Sequence, residues 1–301
     1  MSVKRIAIIS PAGAVPAERI DGAAHTLRHW GYEPVLGQYC KQSIRAYGVI
    51  SHSDTMQHRL EDLRWALTDP EIDVILCARG GYGAIQLLDI IDPQWIVDNP
   101  KPIIGFSDIT ALHALWHRVG VPSIHGPMTK HLAECGPNHA DSVLLRLLIE
   151  GKRPTLYFAG HHLNHPGEAT GIMTGGNLAL LYALLATPYN LVLPGHILFI
   201  EDIAEQVYQV QRMLHALRLA GRLRQLSGLI VGQFTDYREN QQGDAMYQMI
   251  SDMMMPYDIP VAFGCPVGHV EHNVPLVEGA TIRLVVTPQV TQISYTQQCE
   301  G

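Results

Sequence analysis

Apolar residues follow two rhythms along this chain. In the first half, short unbroken apolar runs alternate with longer stretches whose apolar positions recur every third or fourth residue. The runs predict strands over Arg5–Ser10, Pro34–Gly37, Asp73–Ala78 and Pro102–Gly105. The periodic stretches predict helices over Ala17–His29, Thr55–Leu67 and Asp108–Val119, the last stopped by Gly120. Alternation of this kind implies parallel strands with helices on both faces of the sheet. Between Asn138 and Thr170 the pattern loosens and reads as a connection. Beyond it, His196–Glu201, Leu229–Phe234, Pro260–Phe263 and Thr281–Thr287 read as strands, and Val207, Val210, Met213, Leu214 and Leu217 form the core stripe of a helix ending at Gly221. The expected organisation is an α/β chain of two domains: residues 1–150, a linker over 151–170, and a β-rich domain over 171–301.

Composition narrows the function classes. With 47% hydrophobic and 16% charged residues in 301, the chain is globular, and a net charge of −7 offers no basic footprint for nucleic acid or an anionic membrane. The opening residues carry two basic groups, but the apolar run Ile6–Ile9 that follows is too short for a secretory segment and suits a first strand. No apolar stretch approaches the length of a membrane span. The five cysteines (Cys40, Cys77, Cys135, Cys265, Cys299) are odd in number and scattered, which predicts reduced thiols and a cytoplasmic location.

Three places could carry chemistry. The first is Arg79-Gly80-Gly81-Tyr82-Gly83-Ala84, a glycine-rich turn after a core strand. Glycines there let backbone N–H groups approach a negative charge. A dinucleotide fingerprint fails because Ala84-Ile85-Gln86 supplies no third glycine, and no phosphate-binding GxxxxGK[ST] occurs, so no nucleotide or flavin cofactor is expected. An anion or oxyanion cradle and a structural turn both remain. The second is Gly105-Phe106-Ser107-Asp108, where a strand turns into a helix. Ser107 reads either as a nucleophile beside free N–H donors or as a helix cap. The third is a base with its orienting acid. His269 closes the glycine-punctuated loop Phe263–Gly268, with His272 close behind, and Glu201-Asp202 end an apolar strand. His113 and His117 stand four apart without the glutamate of a zinc motif, and His161, His162 and His165 lie in a polar loop, so no metal site is expected.

Several of these motifs, in this order, resemble the LD-carboxypeptidase (muramoyltetrapeptide carboxypeptidase) family of serine peptidases, which also includes immunity peptidases against microcin C-like aminoacyl-nucleotide amides. The resemblance runs through Ser10-Pro11-Ala12-Gly13, Arg59-Leu60-Glu61-Asp62-Leu63, Arg79–Gly83, Gly105–Asp108, Gly175-Gly176-Asn177-Leu178, Thr187-Pro188, Leu198–Ile203, Arg212-Met213-Leu214 and Gly268-His269. It implies a Rossmann- or flavodoxin-like first domain bearing the nucleophile, and a second domain bearing the rest of a Ser–Glu–His triad. By the resemblance, Ser107 is the nucleophile, His269 the base and Glu201 its orienting carboxylate, while the backbone N–H groups of Gly81 and Asp108 form the oxyanion hole. Arg79, Gly80 and Tyr82 would contact substrate. The implied reaction releases the terminal D-alanine of a murein tetrapeptide, without metal or cofactor, in a cytoplasmic homodimer. The order Ser–Glu–His is that of α/β-hydrolases, but Gly105-x-Ser107 runs into Asp108-Ile109 and lacks their second glycine. Pro275-Leu276-Val277-Glu278-Gly279 also departs from the family's usual Leu-Pro-x-Gly. A self-immunity peptidase and a non-enzymatic anion-binding protein are the competing readings.

Overall fold

A computed structural model describes residues 3–41, 53–237 and 244–296 of the chain; Cys299 lies outside them. Among the described residues the strands are β1 (Arg5–Ile9), β2 (Glu33–Leu36), β3 (Val74–Cys77), β4 (Ile103–Gly105), β5 (Ser123–His125), β6 (Leu156–Ala159), β7 (Gly167–Asn177), β8 (Ile197–Ile203), β9 (Gly228–Thr235), β10 (Val261–Ala262), β11 (Leu276–Glu278), β12 (Thr281–Val286) and β13 (Val290–Tyr295). The chain divides into two compact units, residues 1–151 with 274–277, and residues 152–273 with 278–301.

The first unit is built on the sheet order β2-β1-β3-β4-β5, continued by β11 beyond β5. The first five strands pair in parallel. Ile6 to Ile9 and Val74 to Cys77 are all closed to solvent, as strands covered by helices on both faces must be. The helix Ala17–His29 carries Glu18 in its first turn and Arg28 and His29 in its last, complementing its dipole, and Gly31 ends it at φ 85°. In such an order, ligands bind beyond the carboxyl ends of the strands near the switch point. The glycine turn after β3 and the Ser107 turn after β4 both leave from that edge.

The second unit holds the seven-stranded order β10-β9-β8-β7-β12-β13-β6. β7 to β10 pair in parallel, whereas β12 and β13 join β7 and β6 in antiparallel pairs. The stretch expected as a connection is therefore structured. It contains the helix Ala140–Ile149, β6 and the start of β7. Residues 274–277, expected in the second domain, belong to the first unit. No described helix is long and apolar enough to cross a membrane.

Candidate active site

The turn after β4 is tight and starts at a glycine. A Cβ on Gly105 would lie 2.9 Å from two carbons of Ile109, so only glycine lets the helix fold back on the strand. Phe106 is extended, and Ser107 then takes φ 65°, a left-handed conformation that costs a non-glycine residue about 1–2 kcal/mol. A capping residue sits in the extended region instead, and Ser107 makes no capping bond here. The residues 107–109 form one 3-10 turn that leads into the helix Thr110–Arg118. From that helix His113 reaches back, its Nε2–H donating to the Gly105 carbonyl at 2.9 Å while its Nδ1 accepts from Ser123 Oγ at 2.8 Å. Complete burial pushes the His113 pKa down to about 4, so the ring is a neutral strut.

The glycine turn packs onto this serine. A Cβ on Gly80 would stand 2.8 Å from Ser107 Cβ and 3.1 Å from its Oγ. Gly81 and Gly83 adopt φ 110° and 123°. The turn is held at its start by the bond from Gly13 N–H to the Gly80 carbonyl, 2.8 Å. Beyond Gly83, Ala84 N–H donates to Asp108 Oδ2 at 2.8 Å. Asp108 is 3% exposed. Burial raises its pKa, opposed by the N–H groups of Ala84 and Gly83 and by the positive charge of Arg59. Arg59 is itself buried and donates to the carbonyls of Thr55 and Pro11 and to Gln86 Oε1. Arg79 donates to the Ala14 carbonyl at 2.9 Å, and Tyr82 is 68% exposed.

The second unit supplies an acid and a base. Glu201, wholly buried in β8, accepts from His269 Nδ1–H at 2.8 Å, which leaves the basic lone pair on Nε2. Burial pulls the His269 pKa down, but the Glu201 hydrogen bond and the charges of Glu201, Asp202 and Asp236 outweigh it and hold the ring above the usual histidine value. The loop reaches the acid through Gly268, at φ 126°, where a Cβ would come within 2.9 Å of Glu201 Oε2. Gly268 N–H donates to Asn273 Oδ1 at 2.9 Å, fixing the turn. Asp202, the neighbouring acid, has another task. It accepts from Asn177 Nδ2 at 2.7 Å and Ala179 N–H at 2.9 Å, pinning the start of the helix Leu178–Leu184. Burial, then the nearby Glu201 charge, pushes its pKa up to about 7.

Two further groups of histidines hold ring nitrogens engaged in hydrogen bonds. In the group His131, His139 and Asp141, His139 Nδ1 accepts from Asp141 N–H at 3.3 Å. In the group His161, His162 and Asp244, His161 Nδ1 accepts from Leu163 N–H at 3.2 Å, so its Nε2–H faces the Asp244 carboxylate 3.2 Å away. A metal would have to displace these bonds to gain the Nδ1 lone pair of His139 or His161. Sequence reasoning missed Arg59, His113 and the Asp108 side chain as structural parts of the turn, since nothing local marks a charged or polar group as buried.

Each unit matches a domain of one peptidase family. The LD-carboxypeptidase N-terminal domain matches residues 6–126, and the LD-carboxypeptidase C-terminal domain matches residues 170–284. The murein tetrapeptide carboxypeptidase of Pseudomonas aeruginosa is 31% identical over 282 residues, covering 89% of each chain. The crystal structure of muramoyltetrapeptide carboxypeptidase from Oxalobacter formigenes matches with a TM-score of 0.85 and 26% identity, over 98% of this chain and 99% of that one. The MccF-like protein from Bacillus anthracis shares the fold, with a TM-score of 0.83 at 22% identity over 98% of each chain. The chain belongs to the LD-carboxypeptidase family of serine peptidases.

Proposed function

We propose that this enzyme removes the terminal D-alanine from murein tetrapeptides by an acyl-enzyme route, with Ser107 as nucleophile, His269 as base and Glu201 as the group that orients the base. The observation that carries the reading is the 2.8 Å bond from His269 to a carboxylate with no solvent exposure, the pairing a general base requires. The left-handed Ser107, pressed against a glycine turn, supports it from the other unit.

In this mechanism His269 Nε2 takes the Ser107 proton as Oγ attacks the carbonyl of the L-centre before D-alanine. The backbone N–H groups of Gly81 and Asp108 receive the oxyanion, each donor contributing about 3–4 kcal/mol in comparable sites. His269 then protonates the leaving amine, D-alanine departs, and water activated by the same ring hydrolyses the ester. Arg79, Gly80 and Tyr82 border the turn where substrate binds. No step calls on a metal or cofactor. The physiological role in this reading is cytoplasmic recycling of cell-wall peptides.

The test is D-alanine release from L-Ala–D-Glu–meso-diaminopimelate–D-Ala by wild type and Ser107→Ala, each with excess EDTA. Release by wild type alone, indifferent to EDTA, is expected. Release that survives Ser107→Ala overturns the assignment of the nucleophile. No release by wild type, with cleavage of an aminoacyl-nucleotide amide instead, moves the enzyme to the immunity-peptidase branch.

A further inference from the structure

We propose that the side chain of Asp108 is a positioning group that locks the glycine turn 80–84 to the nucleophile. This rests on the assignment of Ser107 and of the oxyanion donors given above. Its backbone N–H is one of those donors, and its carboxylate sets the place of the other.

A turn containing Gly80, Gly81 and Gly83 does not hold itself in one conformation. Glycine permits φ 110° and 123° but does not enforce them, and ordering each residue costs about 1–2 kcal/mol. Two bonds supply the constraint. One ties the Gly80 carbonyl to Gly13 N–H at 2.8 Å. The other ties Ala84 N–H to Asp108 Oδ2 at 2.8 Å, and the nearby Gly83 N–H also favours the charged carboxylate. Gly81 lies between the two ties. Because Asp108 directly follows Ser107 in the chain, a shift of the glycine turn relative to this carboxylate is a shift relative to the serine. The charge is managed as well: burial holds the Arg59 guanidinium, 7% exposed, below its usual value, the Asp108 charge opposes that shift, and Arg59 in turn offsets a negative charge that would oppose an oxyanion. Gly83 is what admits it, since a Cβ there would fall on the Arg59 guanidinium.

A purely structural tie would affect stability alone. A positioning tie affects the transition state and leaves substrate binding largely intact. The experiment uses the full chain as wild type, Asp108→Asn and Asp108→Ala, reading kcat and KM for D-alanine release, thermal midpoint, and amide hydrogen exchange at Ala84. Asp108→Ala is expected to lose about 100-fold in kcat, the scale of a misplacement near 1 Å. Its KM should stay within about threefold. Asp108→Asn keeps one acceptor for Ala84 N–H but loses the charge that Arg59 offsets, so its loss should be intermediate. Exchange at Ala84 should speed up in Asp108→Ala, ahead of any change in the surrounding sheet. Wild-type kcat in a folded Asp108→Ala overturns the proposal. So does unchanged exchange at Ala84 in that variant; if Asp108→Ala fails to fold, wild-type kcat in Asp108→Asn overturns it instead. If wild type itself releases no D-alanine, the proposed activity falls, while the exchange measurement still decides the role of Asp108.

Discussion

His269 Nδ1 and Glu201 Oε2 stand 2.8 Å apart, the carboxylate sealed from solvent and the imidazole 16% exposed. The base proposed here works unprotonated, and this ring is held above the ordinary value of about 6.5. The acid limb of kcat/KM should therefore lie above that value. In Glu201→Gln the charge is lost while burial persists, so the limb should move to lower pH as the plateau rate falls. A limb that stays in place in Glu201→Gln would assign it to another group.

Ser107 reverses the usual ranking of alanine and glycine. Within a helix, glycine is about 1 kcal/mol worse than alanine. At φ 65° the order inverts, and Ser107→Gly should be more stable than Ser107→Ala by about 1 kcal/mol. Denaturant midpoints of the two variants check this. Equal midpoints would mean that the turn relaxes when the hydroxyl is removed.

Under the proposed mechanism, Gly268→Ala should damage catalysis from outside the Ser107–Glu201–His269 set. The added methyl would lie 2.9 Å from both Cβ and Oε2 of Glu201, on a residue at φ 126°. A kcat loss of about 100-fold is expected from displacing His269. Loss of the downfield imidazole N–H resonance would tie the effect to the pair, and a retained resonance with full kcat would refute it.

Glu278 links pH to stability. It is 1% exposed, accepts from Gly175 N–H at 3.3 Å, and burial pushes its pKa up to about 8 from 4.5. A folded-state pKa above the unfolded one means stability that is complete below pH 4.5 and lost as pH rises through 8. Glu278→Gln keeps an acceptor and removes the ionisation. Its thermal midpoint should gain on wild type between pH 5 and pH 8, and a gap independent of pH would contradict the sign.

Much of the first unit was legible because parallel strands covered on both faces must be apolar throughout. Helix Ala17–His29 has the bounds its periodicity predicts, and β1, β3 and β4 fall within a residue of expectation. β7 was not legible at its start: Gly167-Glu168-Ala169-Thr170 is nearly all exposed and carries no apolar alternation, so its partner β12 decides its conformation. In the candidate site, motif order singles out Ser107, Glu201 and His269, whereas spacing alone leaves Ser107 as cap or nucleophile and His269 beside His272. The positive φ of Ser107 and the buried contacts of Arg59, His113 and Asp108 have no local signature. They arise from tertiary packing, which fixes a conformation that intrinsic propensity opposes.

The placement of β11 governs the order in which the chain can mature. β5 finds one neighbour in β4 and the other in Leu276–Glu278. During synthesis the first unit must therefore wait, with the outer rim of β5 unzipped, until the ribosome has made all of the second unit through Asn273. An unzipped rim is a template for wrong partners. A fragment ending at Gly151 should self-associate on that rim, and the first unit should gain its full protection from exchange only when the late strand docks.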